Sequence, residues 1–169
     1  AKFDFDKTKW FNQQYLRQKP NKELVKDLQF LLKKNGIKAN DNFVDSVCQQ
    51  LKERAVFIKD MWEEGKYFFI APSFYDEKTI RKKWNKETSK DLARLKDRLE
   101  LIVDFVPEKI EAEFKSYLIE NELVMGKLLP VFRLSLTGIG IGPSLFDIVA
   151  LLGKQETIER IETALEKIK

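Results

Sequence analysis

The sequence predicts an all-α protein built in two helical parts, on three observations. Apolar residues recur at three- and four-residue spacing through most of the chain, the signature of helices with one buried face. No strong run of strand-like alternation competes with them. The most apolar stretch, residues 124–153 (VMGKLLPVFRLSLTGIGIGPSLFDIVALLG), reads as helix, glycine-rich corner, helix, and organises the rest. The 169 residues, 43% of them hydrophobic, suffice for one domain or for two small helical subdomains sharing a core.

Taken in order, Asp4 or Asp6 caps a first helix carrying Trp10, Phe11, Tyr15 and Leu16. Trp10 and Phe11 read as core or interface residues, because nothing basic is concentrated beside them. Pro20 marks a turn, and Asn21 is expected to cap a second helix whose face is Leu24, Leu28, Leu31 and Leu32. Asn35 and Gly36 stop it. Asp41 is expected to cap a third helix with Phe43, Val44, Val47, Leu51, Ala55, Ile58 and Trp62 on its period, running close to Tyr67 with a bend. Within it, Arg54 is either a solvated or ion-paired residue or one that meets a partner. Cys48, between Val47 and Leu51, reads as a small buried hydrophobe rather than a nucleophile. The aromatic stretch 65–73 (GKYFFIAPS) breaks at Pro72 and closes the first part, with Phe68 and Phe69 plugging the joint. The parts are therefore placed at residues 1–73 and 74–169.

Residues 77–98 are rich in charge, with Lys78, Arg81, Lys82 and Lys83 in close succession. Leu92, Leu95, Leu99, Ile102 and Val106 supply the buried stripe, so most of these charges need be no more than its outer face. Lys82 and Lys83 are candidate phosphate contacts. Pro107 starts or interrupts a helix continued by Ile110, Phe114, Tyr117 and Leu118. At the corner, Gly138, Gly140 and Gly142 permit a sharp turn or a close approach, and Pro143 suits the first turn of the next helix. Arg133 and Thr137, four residues apart, are expected to share an exposed helix side beside it. After Gly153, Ile158, Ile161, Leu165 and Ile168 mark a last helix over residues 156–168.

Composition excludes more chemistry than it suggests. The 31 Lys and Arg against 27 Asp and Glu give a net charge of +4, which permits nucleic-acid binding without requiring it. The absence of histidine removes imidazole metal sites and the common general base. A single cysteine excludes an intrachain disulfide. Glu63 with Glu64 and Glu111 with Glu113 do not share a helix face, and Ser135 and Ser144 have no histidine to activate them. GIGIGPS lacks the GKS or GKT ending of a phosphate loop and the strand that precedes a dinucleotide fingerprint. Backbone N–H groups near Pro143 still suit an anion. Charges or glycines interrupt every apolar run before membrane-spanning length. The opening AKFDFDKTKW has no secretion signal and no methionine, and is expected to belong to a piece of a longer protein. What remains is a helical binding or structural module with no catalytic or metal-ligand set, expected to be a monomer because its apolar stripes serve its own core.

Two segments carry a resemblance. LLPVFRLSLTG, followed by PSLFDIVALLGKQETIERIETAL, resembles the anticodon-binding region of bacterial-type glutamyl-tRNA synthetases. Pro130, Arg133, Leu136, Thr137 and Gly138 carry it, continued by Pro143, Leu145, Phe146, Ala150, Leu151, Leu152, Gly153 and Lys154. FDFDKTKWFNQQYLR is similar to the segment that follows the catalytic half of those enzymes, through Phe3, Asp4, Lys7, Trp10, Asn12, Tyr15, Leu16 and Arg17. The middle matches in pattern, at Arg54 and the aromatic residues 67–69.

The resemblance implies a two-part all-helical cage from a class I synthetase. It implies a cytoplasmic whole enzyme that activates glutamate with ATP and Mg2+ and esterifies it to tRNA-Glu. This region would help choose the tRNA by its anticodon loop. HIGH-like and KMSKS-like motifs are absent, so catalysis and its cofactors are expected in the catalytic half of the same chain. The implied contacts are Arg133 and Thr137 first, with the corner from Gly138 to Ser144 shaping the pocket. Arg54 ranks second, and Lys82 and Lys83 third, as phosphate contacts. Some family members read the last anticodon base with an arginine whose place here falls at Asp45 and Ser46. An aspartate cannot donate those hydrogen bonds, which leaves the choice between tRNA-Glu and tRNA-Gln open. The reading from another class is a helical protein–protein adaptor. It predicts an exposed aromatic patch, with Phe68 and Phe69 as candidate members, a protein partner, and no need of Arg133 for RNA.

Overall fold

The structure, a computed structural model, describes residues 4–169. Phe3, one of the residues carrying the resemblance, lies outside them. Among the described residues there are ten α-helices, one short 3-10 turn and no strand. Contacts divide the chain into two units, Ala1–Phe69 and Ile70–Lys169. Residues 70–73 go with the second unit because this segment leads into it: Pro72 and Phe74 lie against Gly138.

The first unit holds α1 (Phe5–Gln18), α2 (Asn21–Lys34), α3 (Asp41–Leu51), α4 (Ile58–Gly65) and the 3-10 turn Lys66–Phe68. Asp4 caps α1, accepting from the Lys7 N–H at 3.1 Å. Two expected caps shift by one residue. Asn21 is the first residue of α2, after Pro20, and its side chain donates to Asp45 instead at 3.1 Å. Asn40 caps α3, accepting from the Asn42 N–H at 2.8 Å, while Asp41 accepts from Gln29. The single bent helix expected over residues 43–62 is two helices. The chain leaves α3 after Leu51, and the Asp60 carboxylate reaches back to the N–H groups of Val56 and Phe57, at 3.1 and 2.8 Å, to start α4. Ala55 stays buried across the break, which is why the apolar period runs through it.

The core of this unit is Leu24, Leu28 and Leu32 of α2, Val44, Val47, Cys48 and Leu51 of α3, and Met61 of α4. Each such side chain contributes about 1.5–3 kcal/mol by leaving water. Trp10 and Phe11 are not in it: both are 55% exposed and meet edge to face, 5.1 Å apart. Phe68 is buried, and Phe69 is half-buried edge-on to Phe43 at 5.6 Å. Phe68 is therefore not a member of any exposed aromatic patch.

The second unit holds α5 (Glu77–Lys83), α6 (Lys86–Glu100), α7 (Pro107–Glu120), α8 (Met125–Thr137), α9 (Leu145–Leu152) and α10 (Lys154–Lys167). The charged stretch is divided at Asn85, which caps α6 by accepting from the N–H groups of Glu87 and Thr88. Pro107 is the first residue of α7, where its missing N–H costs nothing. The core combines Leu92, Leu95 and Leu99 of α6, Ile110 and Phe114 of α7, Val131 and Phe132 of α8, Val149 of α9 and Ile161 of α10. Phe114 and Phe132 stack with centroids 6.0 Å apart. Helix α8 packs against α5, α6 and α10 and is the unit's axis. Gly153 ends α9 and caps α10, so the last helix begins at Lys154, two residues before the expected start.

Candidate nucleic-acid interface

The site is built on the C-terminal half of α8. Pro130 lies inside that helix. It has no N–H, so the carbonyl four residues earlier, Gly126, loses its helical partner. The Lys83 ammonium donates to that carbonyl at 2.9 Å. Lys83, expected at a phosphate, thus commits one of its three donors to holding α5 on α8.

Gly138 ends α8 with φ +75°. A Cβ there would meet the Phe74 carbonyl oxygen and stand 2.9 Å from the Pro72 Cβ. The position excludes other residues both by conformation and by space. The Asp76 N–H donates to the Gly138 carbonyl at 2.8 Å. At Gly140 an added Cβ would stand 2.5 Å from the Thr79 Oγ1. The segment leading into α5 is therefore pressed along the corner. Asp76 caps α5, and its hydrogen bonds from the Thr79 hydroxyl and N–H hold its carboxyl below the usual range.

Thr137 does not share an exposed side with Arg133. It is 6% exposed. Its one hydroxyl hydrogen goes to the Arg133 carbonyl at 2.8 Å, and its oxygen accepts from the Ile139 N–H at 3.2 Å. Four-residue spacing put the two on one side, but the threonine turns back onto its own helix. Its role is a latch between Arg133's turn and the corner. Arg133 itself is half-buried. Ser144 is exposed and caps α9, its hydroxyl accepting from the Asp147 N–H at 3.5 Å. Pro143 stands one residue before that cap rather than in the first turn.

Sequence reasoning missed Arg160. This arginine of α10 is 4% exposed, donates from Nη1 to the Leu136 carbonyl at 2.8 Å and from Nε to Glu156 at 2.6 Å. The signal was present: Arg160 falls on the buried stripe Thr157, Ile161, Ala164, four residues after an acid.

A cavity of about 520 Å³ runs along the corner, lined by Asp76, Lys78, Thr79, Lys82, Lys83, Pro130, Ile139, Gly140 and Ile141. The structure thus brings Lys82 and Lys83 together with the corner, cationic groups beside an apolar wall of Pro130, Ile139 and Ile141. Arg54 belongs to the first unit, exposed in the turn after α3. That turn is tethered by Arg17, whose guanidinium pairs with the Glu53 carboxylate at 2.9 Å and donates to its carbonyl at 3.0 Å. Asp45 accepts from Asn21 and Gln49, at 3.1 and 2.7 Å. Burial pushes the Cys48 thiol up to about 12, which leaves it no reactive thiolate near neutrality. Among the described residues no group of three or more His, Cys, Asp or Glu is placed to hold a metal ion, and no helix is long and apolar enough to cross a membrane. The arrangement offers charge for an anionic backbone and an apolar wall for a flat ring.

Residues 15–165 match the family described as anticodon binding domain. The chain is 43% identical, over all 169 residues, to a glutamate–tRNA ligase of Phocaeicola vulgatus, covering 34% of that protein. It is 44% identical over 165 residues, 98% of its own length, to the glutamate–tRNA ligase of Flavobacterium psychrophilum, covering 33% of it. In three dimensions it is similar to a glutamate tRNA ligase from Elizabethkingia meningosepticum crystallised with its amino acid, with TM-score 0.93 and 37% identity, covering 100% of this chain and 34% of that one. The chain thus spans about a third of the length of these relatives. It belongs to the anticodon-binding-domain family, in the form carried by bacterial glutamate–tRNA ligases.

Proposed function

We propose that this chain selects tRNA by its anticodon loop, as the anticodon-binding part of a glutamate–tRNA ligase, with tRNA-Glu as its partner. The observation that supports this best is a lysine-lined cavity along the corner, walled by Pro130 of the helix that carries the half-buried Arg133, although Arg133 itself is not among its lining residues. Lys82, and Lys83 with its remaining donors, attract the phosphate backbone and set its register. A splayed base rests on the apolar wall, and its edge is read by the fork of donors on Arg133. Thr137 and Gly138 hold the corner in shape, Ser144 offers its hydroxyl at the rim, and Arg54 makes a second contact from the first unit. Both units are then anticodon-binding subdomains. The glutamylation of tRNA, with its ATP and Mg2+, belongs to the catalytic part of the same polypeptide and not to this chain, which acts as a monomer in the cytoplasm.

The test is salt-dependent binding of the chain to a tRNA-Glu anticodon stem-loop and to loops with substituted anticodons. Binding should prefer the cognate loop, and Arg133→Ala should weaken that preference by roughly tenfold, the scale of one lost bidentate base contact. Equal affinity for every loop, governed by salt alone, overturns the proposal.

A further inference from the structure

A buried guanidinium is costly unless it is paired and fully bonded. Arg160 is paired with Glu156 through Nε and donates to the Leu136 carbonyl through Nη1. Leu136 is the penultimate residue of α8. Its carbonyl is one of the last four in the helix, which find no N–H within it. The side chain of α10 therefore caps α8 from outside. Two further bonds act on the same turn, from the Thr137 hydroxyl to the Arg133 carbonyl and from the Ile139 N–H to Thr137. Together they fix the turn that carries Arg133 and the first residues of the corner. Stability alone does not call for a buried cation here: Glu156, its partner, is 39% exposed, and an apolar side chain of similar volume in place of a buried ion is often neutral or better. What the guanidinium adds is direction: a planar donor aimed at one carbonyl.

We propose that Arg160 is a positioning residue for anticodon discrimination, holding the last turn of α8 so that Arg133 and the corner meet the RNA in one geometry. The inference rests on the reading of this corner as the anticodon site.

The test uses the whole chain with Arg160→Met, Arg160→Lys and Glu156→Gln, alone and combined with Arg133→Ala. The readout is the ratio of affinities for cognate and anticodon-substituted stem-loops. Arg160→Met should lower that ratio by about tenfold, or 1.4 kcal/mol, with the salt slope unchanged because phosphate contacts are retained. Arg160→Lys should recover part of it. Glu156→Gln keeps the cation but loosens its aim, and should lower the ratio by about threefold. Combined with Arg133→Ala, Arg160→Met should add less than about twofold, since both act through one contact. A wild-type chain that discriminates while Arg160→Met and Glu156→Gln discriminate equally well overturns the inference alone, as does additive loss with Arg133→Ala. If Arg160→Met does not fold, Glu156→Gln decides, and an unchanged ratio overturns the inference. A wild-type chain indifferent to the anticodon overturns the functional reading and the inference with it.

Discussion

The protein has two corners with an arginine beside them, and they are held in different ways. After α3, the turn carrying Arg54 is tethered by Arg17 on Glu53 and by Asp60 on two N–H groups, all at or near the surface, and Arg54 stands exposed. After α8, the corner next to Arg133 is fixed by backbone and buried groups from α5 and α10. An exposed arginine must give up much of its rotamer freedom on binding, whereas a side chain already held loses less. If both arginines meet RNA, as proposed above, Arg54 is expected to act as a general cation and Arg133 to discriminate between bases.

Four experiments would break or sharpen this contrast. The largest effect is expected from Gly138→Ala, which forces a side chain into φ +75° and against the Phe74 carbonyl. The strain and clash should cost the second unit on the order of 2–4 kcal/mol in urea unfolding. A cost near zero would mean that the corner gives way as easily as the first one. Next come the arginines. Arg133→Ala should reduce cognate stem-loop affinity by about tenfold, with loss of anticodon preference, and Arg54→Ala by no more than about threefold, evenly across loops and with a shallower salt slope. Equal losses, or base-specific loss at Arg54, would reverse their ranking.

Asp60→Ala removes the acceptor that starts α4 and should destabilise the first unit by about 1 kcal/mol, as helix-start capping losses do, with anticodon preference unchanged. The smallest effect is electrostatic. The Asp76 carboxyl is held below its ordinary 3.8 by the Thr79 bonds. The unfolded chain therefore binds this proton more readily, so the contribution is complete above about pH 4 and is lost as pH falls through the lower folded value. Asp76→Asn should make the second unit's stability fall less steeply below pH 4, read by unfolding at pH 2.5 to 5; an unchanged slope would show that the Thr79 bonds do not favour the charged form.

The stripes of α2 and α6 were legible because burial imposes the helical period directly on Leu24, Leu28 and Leu32 and on Leu92, Leu95 and Leu99. The corner was legible because Gly138 has no substitute there. Most of what escaped the sequence depends on a partner elsewhere in the chain. Asn21 and Asp41 each sit beside the true cap, and each is drawn off by a side chain on another helix, Asp45 and Gln29. The break after Leu51 was hidden by Ala55, buried without being helical. At the site, Lys83 is engaged because Pro130 opened the Gly126 carbonyl 43 residues away in the chain. Thr137 faces inward for a local bond, and Arg160 is spoken for by Leu136. None of these is a property of the residue alone.

Because Gly153 closes α9 and opens α10 with nothing between them, the spacing from there to Arg160 is a fixed gauge. One residue inserted or deleted within it would turn the rest of α10 by about 100°, carry Arg160 off the buried stripe and put another side chain opposite Leu136. Between α6 and α7, Leu101 and Val103 are 80% and 96% exposed, although Ile102 and Phe105 pack on the core. Length changes among relatives should accordingly be better tolerated beside Leu101 and Val103 than between Gly153 and Arg160, where they should be shut out.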